Sequence, residues 1–292
     1  MELPPHTKRD WIPGLFEQKK QKKMGTVIEA AREHAKTIVV TIYFTAWRIG
    51  LEPHKANMII QVGDESAKDN TMLIALTISN NSSWKKVFPN VVPNPKSWGA
   101  NGYDVIDTSK TDDEWTKLIA RKKDPTLIGL GYTSGAIIGK HPDGVLIVDD
   151  ILDESNSGSD RELEKVKKIL TGTIFYCITH DTWTVVVGTP WNDHDVIQYC
   201  KDTGEFVCVA TPAFTMVGTE VVYAWPEERG KEWVERKRKT SPMSEFERMV
   251  KLNVSGAMSK AYRFQSFSNA EINWSWPMIV GIDPVNTVTG IS

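Results

Sequence analysis

Residues 26–37 read TVIEAAREHAKT, a β-branched run followed by a loop that ends in lysine and threonine. A strand that passes through such a loop into a helix presents backbone N–H groups and the helix N-terminus to a polyphosphate. Lys36 would place its charge on the β- and γ-phosphates, and the Thr37 hydroxyl could ligate Mg²⁺. This segment therefore predicts a phosphate-binding loop.

The loop departs from the usual pattern G-x-x-x-x-G-K-[ST] at both glycines, because Ala30 and Ala35 stand in their places. Taken alone, it fits an ordinary helix N-terminus as well as a nucleotide site. The intervening Glu33 and His34 are predicted to contact the nucleotide together with Ala35, although the His34 ring could instead simply pack.

A second segment, residues 145–150, reads VLIVDD, a buried strand that ends in two carboxylates. The first carboxylate, Asp149, is expected to hold Mg²⁺ through water, and the second, Asp150, to polarise the attacking water. Considered alone, this segment is more simply a strand followed by an acidic turn. Together with an upstream lysine-threonine loop, it predicts a site for ATP and Mg²⁺.

A third segment, residues 185–191, reads VVVGTPW. A strand that ends in a small residue and a hydroxyl can sit between the nucleotide and the rest of the protein, where Thr189 would sense the γ-phosphate. Considered alone, it is more simply a strand followed by a Thr-Pro turn.

Strand-like apolar runs alternate with segments of helical period, which indicates a mainly parallel α/β sheet covered on both faces. The strands are expected at residues 26–28, 58–62, 103–106, 127–132, 145–148 and 184–187, and helices at 37–49, 66–79 and 160–170. Residues 84–101 are rich in Pro, Asn and Lys and are expected to be loop. Residues 225–249 are highly charged and predict a helix that is either solvated or faces DNA.

Bulk composition narrows the class of protein. The chain has 292 residues, 25% of them charged, and a formal net charge of -2, so any DNA contact must be local or shared between subunits. Cys177, Cys200 and Cys208 are too scattered for a disulfide framework or a CxxC metal site.

No apolar run approaches the roughly 20 residues that cross a bilayer, and no signal peptide is expected from the N-terminal residues. We therefore expect a soluble intracellular protein without a membrane partner.

The order of these motifs resembles that of phage terminase large subunits, the motors that package viral DNA. AREHAKT (residues 31–37) is similar to their atypical phosphate loop, in which an arginine, here Arg32, stands four residues before the lysine. HPDGVLIVDDILDE (141–154) is similar to their Walker B strand and acidic turn, VVVGTPWNDHD (185–195) to their coupling motif, and ATPAF (210–214) to the strand that follows. The resemblance runs from about residue 25 to the end.

This resemblance implies a P-loop NTPase of the additional-strand, conserved-glutamate type that hydrolyses ATP to move double-stranded DNA into a procapsid. Such a motor works as a homo-oligomeric ring on the portal protein, with a small terminase subunit, in the host cell cytoplasm. Arg32, Lys36 and Thr37 would hold phosphates, and Thr189 would pass on the nucleotide state. Asp150 stands where many of these motors have glutamate, so Asp153 or Glu154 could share or take its role.

A cation supplied by the neighbouring subunit completes the site in ring ATPases. In terminases, a basic residue just before the Walker B strand is a candidate, and here that position is Lys140. Arg121 and Arg161 are the other candidates, and the sequence does not choose among the three.

The resemblance also divides the chain. Residues 1–217 would form the ATPase domain with an N-terminal arm, 218–274 a linker subdomain, and 275–292 the first strand of an RNase H-like nuclease domain. Asp283, after the apolar run 276–282, matches the first Mg²⁺ or Mn²⁺ ligand of that nuclease. Because the sequence ends nine residues later, we expect no nuclease activity from this chain alone.

Two other functions remain open from the sequence. A helicase-like DNA translocase would need further arginine-bearing motifs in a second motor domain after residue 212, where only about 60 residues precede the nuclease-like strand. A non-catalytic ring component that binds nucleotide for assembly is compatible with the alanines in the loop and with Asp150.

Overall fold

Continuous apolar runs in the sequence become the central strands of one large sheet. A computed structural model describes residues 2–99 and 102–255. Within them, eight strands pair in the order β3-β4-β5-β2-β6-β7-β1-β8, and β9 and β10 form a separate hairpin. The strands are β1 Gly25–Ala30, β2 Asn57–Gln61, β3 Val91–Gly99, β4 Gly102–Asp107, β5 Leu127–Gly131, β6 Val145–Asp149, β7 Trp183–Gly188, β8 Phe206–Thr211, β9 Phe214–Val217 and β10 Glu220–Tyr223.

The six strands from β5 to β8 in this order run parallel, whereas β3 and β4 are antiparallel additions at one edge. Strand β7 lies between β1 and β6, so the strand before the phosphate loop and the strand with the twin aspartates are not direct neighbours. The predicted mainly parallel α/β sheet is confirmed.

Helices pack on both faces of the sheet, as parallel strands require. The α-helices are α1 Ile12–Lys20, α2 Thr45–Leu51, α3 Asp64–Asn80, α4 Ser82–Val87, α5 Asp112–Ile119, α6 Glu154–Ser157, α7 Asp160–Ile169, α8 Val196–Asp202, α9 Pro226–Arg229, α10 Lys231–Thr240 and α11 Met243–Lys251. Wider π-helical turns occupy Thr7–Trp11, Thr37–Phe44 and Leu170–Ile174, and 3₁₀ turns occupy Gly135–Ile137 and Phe175–Cys177.

Successive residues of the central strands belong in alternation to two separate hydrophobic cores. One core joins Ile28, Ile59 and Ile147 to α3 and the N-terminal helices. The other joins their chain neighbours Val27 and Val148 to α7 and α8. This alternation places side chains on opposite faces of each strand and fixes the register of the sheet.

The prediction of loop for residues 84–101 is wrong at residues 84–87, which lie in α4, and at residues 91–99, which form β3; residues 100 and 101 lie outside the described residues. Helix α4 begins after Asn81, whose side chain accepts hydrogen bonds from the backbone N–H groups of Ser83 and Trp84 at 2.9 and 3.0 Å. The buried Trp84 indole donates to the carbonyl of Ala46 at 3.2 Å and anchors the helix. Pro93 and Pro95 lie in β3, which is an edge strand with an irregular register after Pro93. Proline is tolerated there because an edge strand leaves some N–H groups without a ladder partner.

The chain after β8 folds against the phosphate loop. The hairpin β9–β10 and helices α9 to α11 follow it, and Ala31 of the loop packs with Ala213, Val234, Phe246 and Val250. The charged stretch 225–249 is therefore three helices with one buried apolar side, and its contact with DNA stays a prediction. The boundaries at residues 217 and 274 also stay predictions. The predicted strand 276–282 and Asp283 lie outside the described residues. None of the helices in the described part of the chain is long and apolar enough to cross a membrane.

Candidate nucleotide-binding site

The loop between β1 and the following helix has the conformation that its missing glycines would favour. Glu33 and Ala35 adopt left-handed backbone conformations with φ of 63° and 62°. Alanine in this region costs roughly 1 kcal/mol more than glycine. Ala30, at the other glycine position, is the last residue of β1 and is fully buried. Of the two positions where the usual pattern has glycine, only Ala35 has the left-handed conformation that glycine adopts without strain.

Three segments far apart in sequence meet at the carboxyl edge of the sheet. The Lys36 ammonium lies 2.9 Å from Oδ2 of Asp150 and donates a hydrogen bond to Oγ1 of Thr189 at 3.3 Å. Thr189 in turn donates to the carbonyl of Ala30, the last residue of β1, at 2.9 Å. The predicted loop, acidic strand end and coupling motif therefore form one constellation.

Asp149 is fully buried behind this constellation. Its Oδ2 accepts hydrogen bonds from the Thr41 hydroxyl at 2.7 Å and from the Gln61 amide at 3.4 Å, whereas its Oδ1 has no hydrogen-bond partner among the described residues. Burial, and secondarily the charge of Asp150, raise the pKa of Asp149 to about 7, against the lowering effects of Thr41 and Lys36. A buried carboxylate oxygen without a partner is costly.

This arrangement suits a hard divalent cation, because carboxylate and hydroxyl oxygens are the ligands that Mg²⁺ prefers. The Thr37 hydroxyl is close enough to contribute to lowering the pKa of Asp149. Thr37 and Asp149 are therefore the residues present that fit a metal ion. Thr41 and Gln61 were missed by the sequence reasoning, although a polar residue inside an apolar helix or strand was a visible signal.

Asp150 follows β6 in a left-handed turn with φ of 44°. Its N–H donates to the carbonyl of Val187 at 3.0 Å, which ties this turn to β7. A side chain at Gly188 would start 3.2 Å from Oδ1 of Asp150, so the glycine in the coupling motif leaves the carboxylate room. The Asp150 side chain is 43% exposed.

The two alternative acids differ in availability. Asp153 caps α6, because its Oδ1 accepts from the backbone N–H groups of Ser155 and Asn156 at 2.9 and 3.1 Å. Glu154 is exposed. Both residues line an open cleft of about 530 Å³ together with Arg32, Asp150 and Thr189.

The side chains of Glu33 and His34 turn away from this cleft. His34 is fully buried, its Nδ1 donates to the carbonyl of Arg32 at 2.9 Å, and its ring packs edge-on against Trp233 at a centroid distance of 5.6 Å. The Glu33 carboxylate is bound by residues of α10. Any contact of these two residues with a nucleotide would therefore use their backbone.

The candidates for a cation acting on a neighbouring subunit lie apart from this site in the chain. Lys140 is held by Asp124 in an ion pair of 2.8 Å. Arg121 lies just before β5, and Arg161 lies in the first turn of α7; both are exposed. The ion pair with Asp124 distinguishes Lys140 from the two exposed arginines, and no contact among the described residues assigns the role to any of the three.

Neither a protein-family model nor a curated protein sequence matches the chain. Solved structures of phage large terminases are similar in fold. The HK97 bacteriophage large terminase aligns with a TM-score of 0.50 and 16% identity over 87% of this chain and 50% of its own. The Thermus phage P74-26 large terminase ATPase domain aligns at 13% identity over 82% of this chain and 91% of its own length, with a TM-score of 0.47. A mutant form of the same domain aligns at 13% identity over 82% of this chain and 92% of its own length, with a TM-score of 0.49.

The likeness to the HK97 protein concerns the fold, and the chain spans half of that protein's length. The resemblance inferred from four short motifs is thus confirmed at the level of the fold, since the HK97 large terminase has a similar fold.

Proposed function

We propose that this chain is the ATP-hydrolysing region of a phage terminase large subunit, which moves double-stranded DNA into a procapsid. The observation that carries the proposal is the meeting of Lys36, Asp150 and Thr189 at one edge of the sheet. Three motifs that resemble terminase motifs in sequence contribute one residue each to that point. The likeness in fold to large terminases supports the same conclusion.

Strand order supports assignment to the additional-strand type of P-loop NTPase. In that type, an extra strand separates the strand before the phosphate loop from the strand that carries the metal-binding acid. Strand β7 occupies that position between β1 and β6, and it ends in Gly188 at the coupling motif. The glutamate of the type would be replaced by Asp150.

The residues divide into three proposed roles. Lys36, Thr37 and Arg32 hold the phosphates together with the N–H groups of the loop. Thr37 and Asp149 hold Mg²⁺, which when bound offsets charge on the β- and γ-phosphates. Asp150 orients the attacking water.

The pairing of Lys36 with Asp150 gives this site a simple order of events. A γ-phosphate competes with the Asp150 carboxylate for the same ammonium group, because both are anions at hydrogen-bond distance from it. Binding of ATP would draw Lys36 to the phosphate and release Asp150 toward water. Because Thr189 accepts a hydrogen bond from Lys36, it would shift when Lys36 moves, and this shift would be transmitted to β7.

The base and ribose need space beside the loop. A cavity of about 860 Å³ lies between the N-terminal arm and α9, lined among others by Leu3, Pro5 and Trp225. Arg229 also lines it and donates to the backbone carbonyl of Glu33 at 3.3 Å, so the cavity adjoins the loop. We propose that the base binds there, with the Trp225 indole offering an apolar ring face.

The proposed assembly follows from the terminase assignment. The chain would act in a homo-oligomeric ring on the portal protein, with a small terminase subunit, in the host cytoplasm while docked on the procapsid. A neighbouring subunit would supply the missing cation. Lys140 would have to leave Asp124 to do so, whereas Arg121 and Arg161 are exposed. A nuclease role for Asp283 with Mg²⁺ or Mn²⁺ in a complete domain also stays a prediction.

A steady-state ATPase assay tests the proposal, with and without double-stranded DNA. Lys36→Ala should lower turnover by at least about 10²-fold, because it removes the charge that stabilises the transferring phosphoryl group. Lys239→Ala, an exposed lysine on α10, is the matched control and should leave turnover unchanged. Wild-type turnover in Lys36→Ala would exclude this site, and binding of ATP without turnover in the wild type would favour the non-catalytic alternative.

A further inference from the structure

Glu33 is an acidic side chain in a loop that would surround a polyanion. Its Oε2 accepts a hydrogen bond from the Trp233 indole N–H at 3.0 Å, and its Oε1 accepts one from the Lys237 ammonium. The Arg229 guanidinium lies 3.8 Å from Oε2 and donates to the Glu33 backbone carbonyl. We call these four residues the Glu33 latch.

Within the latch, the one negative charge of Glu33 faces two positive charges, those of Lys237 and Arg229. Partial burial disfavours the charged carboxylate, but the bonds from Lys237 and Trp233 outweigh it and hold the pKa of Glu33 below its ordinary value. The Glu33 carboxylate therefore remains ionised and is neutralised by cations of the helical segment 226–240. Without those cations, the same negative charge would stand beside the phosphates and repel them.

Further contacts seat the loop on the same helices. The His34 ring packs edge-on against Trp233, and the N–H of Arg32 donates to the carbonyl of Met249 in α11 at 3.0 Å. Ala31 is buried in the apolar cluster formed by α10 and α11. The side of the loop that bears Glu33 is therefore bound to α10 and α11, while Arg32 lines the cleft and Lys36 is paired with Asp150.

We propose that Glu33 is a positioning residue through which helix α10 sets the affinity of the phosphate loop for nucleotide. This inference rests on the proposed function. With α10 in place, the Glu33 carboxylate is turned from the phosphates and the left-handed backbone at Glu33 and Ala35 is held. Separation of α10 frees both the negative charge and the loop. By thermodynamic linkage, bound nucleotide in turn holds α10 against the loop.

The test measures the dissociation constant of a fluorescent non-hydrolysable ATP analogue, mant-AMPPNP, with Mg²⁺ and the full chain. Lys237→Met should weaken binding on the order of 10-fold, since site-to-site coupling typically amounts to 5- to 150-fold. Lys239→Met, exposed on the same helix, is the matched control and should bind as the wild type does. In the Glu33→Gln background, Lys237→Met should change binding by less than about 3-fold, because no charge is left uncompensated.

Thermal unfolding and hydrogen exchange separate positioning from folding. Lys237→Met should melt within a few degrees of the control, and its residues 31–36 should exchange backbone protons faster without nucleotide. If Lys237→Met does not fold, Trp233→Phe keeps the ring and removes one donor to Glu33, and it should weaken binding in the same direction.

Three outcomes would overturn the inference. If the wild type binds the analogue and Lys237→Met binds equally well, the latch is excluded while the proposed function stands. An equal loss in the Glu33 and Glu33→Gln backgrounds would mean that Lys237 does not act through Glu33. If the wild type does not bind the analogue, the proposed function fails, and the latch fails with it.

Discussion

The ammonium of Lys36 lies 2.9 Å from the carboxylate of Asp150, so the loop after β1 and the turn after β6 are joined by an ion pair across the end of β7. The Lys36 side chain is only 10% exposed, so this pair is shielded from solvent on one side. The two residues proposed to bind phosphate and to orient water therefore form an ion pair with each other. Because a phosphate would compete with Asp150 for Lys36, this ion pair leads to several measurable predictions.

Replacement of Asp150 should separate binding from hydrolysis. Asp150→Asn keeps the shape of the side chain but removes the charge that holds Lys36, so ATP binding should be equal or tighter. Turnover should fall on the order of 10²-fold or more, because the water loses the group that polarises it. Turnover and analogue binding are measured on the same preparation.

Glu154→Gln is the matched control, since Glu154 lines the same cleft and is exposed. It should retain turnover within about 3-fold, less than a general base normally contributes. A large loss in Glu154→Gln with little loss in Asp150→Asn would transfer the catalytic role to Glu154.

The hydrogen bond from Thr41 to Asp149 should contribute to stability. Thr41→Val removes a donor to a buried carboxylate, and it should lower the free energy of unfolding in urea by about 2 kcal/mol. Thr45→Val is the control, because the buried Thr45 hydroxyl has no hydrogen-bond partner among the described residues. It should be neutral or stabilising. Equal losses of unfolding free energy in the two variants would show that the hydrogen bond from Thr41 to Asp149 makes no specific contribution to stability.

Acid should destabilise the protein through His34. Burial lowers the pKa of His34 from 6.5 to about 4. The unfolded chain therefore binds more protons below pH 6.5, and stability falls as the pH drops from 6.5 toward 4, by up to about 3 kcal/mol for this group.

The measurement is the difference in unfolding free energy between the wild type and His34→Gln at pH 7.5 and pH 5. This difference should shrink at pH 5. Asp149, whose pKa is raised, acts in the opposite sense but is present in both proteins, so its effect largely cancels. A constant difference for His34→Gln would mean that its ring is not buried in the neutral form.

Glycine at position 35 should make the protein more stable than alanine does. Ala35 has a φ of 62°, so Ala35→Gly relieves a left-handed alanine and should raise the unfolding free energy by roughly 1 kcal/mol. Ala31→Gly is the control, because Ala31 is buried and is not left-handed. It should destabilise the protein. Destabilisation by Ala35→Gly would argue against the loop conformation described above.

The sequence predicted the central strands because buried parallel strands are continuous apolar runs that need no knowledge of their neighbours. It predicted the loop, Asp149, Asp150 and Thr189 because each ends a strand at the edge where ligands bind in such folds. The prediction of loop failed at α4 and β3, where the cap at Asn81 and the edge position of β3 decide the structure. Neither can be seen from composition.

The partners of the site residues were also beyond the sequence. Thr41 and Gln61 face Asp149 only because the helix after the loop and β2 pack beside β6. Trp233 and Lys237 reach Glu33 from a helix far along the chain, so their role depends on tertiary packing alone. Local sequence pattern selects the candidate site residues, whereas their partners follow from the fold.

The decisive measurement is a crystal structure of the chain with AMPPNP and Mg²⁺. We expect Lys36 to leave Asp150 for the β- and γ-phosphates and Mg²⁺ to lie beside Thr37 and Asp149. Binding of the analogue elsewhere, with Lys36 still paired with Asp150, would exclude this site as the site of ATP hydrolysis.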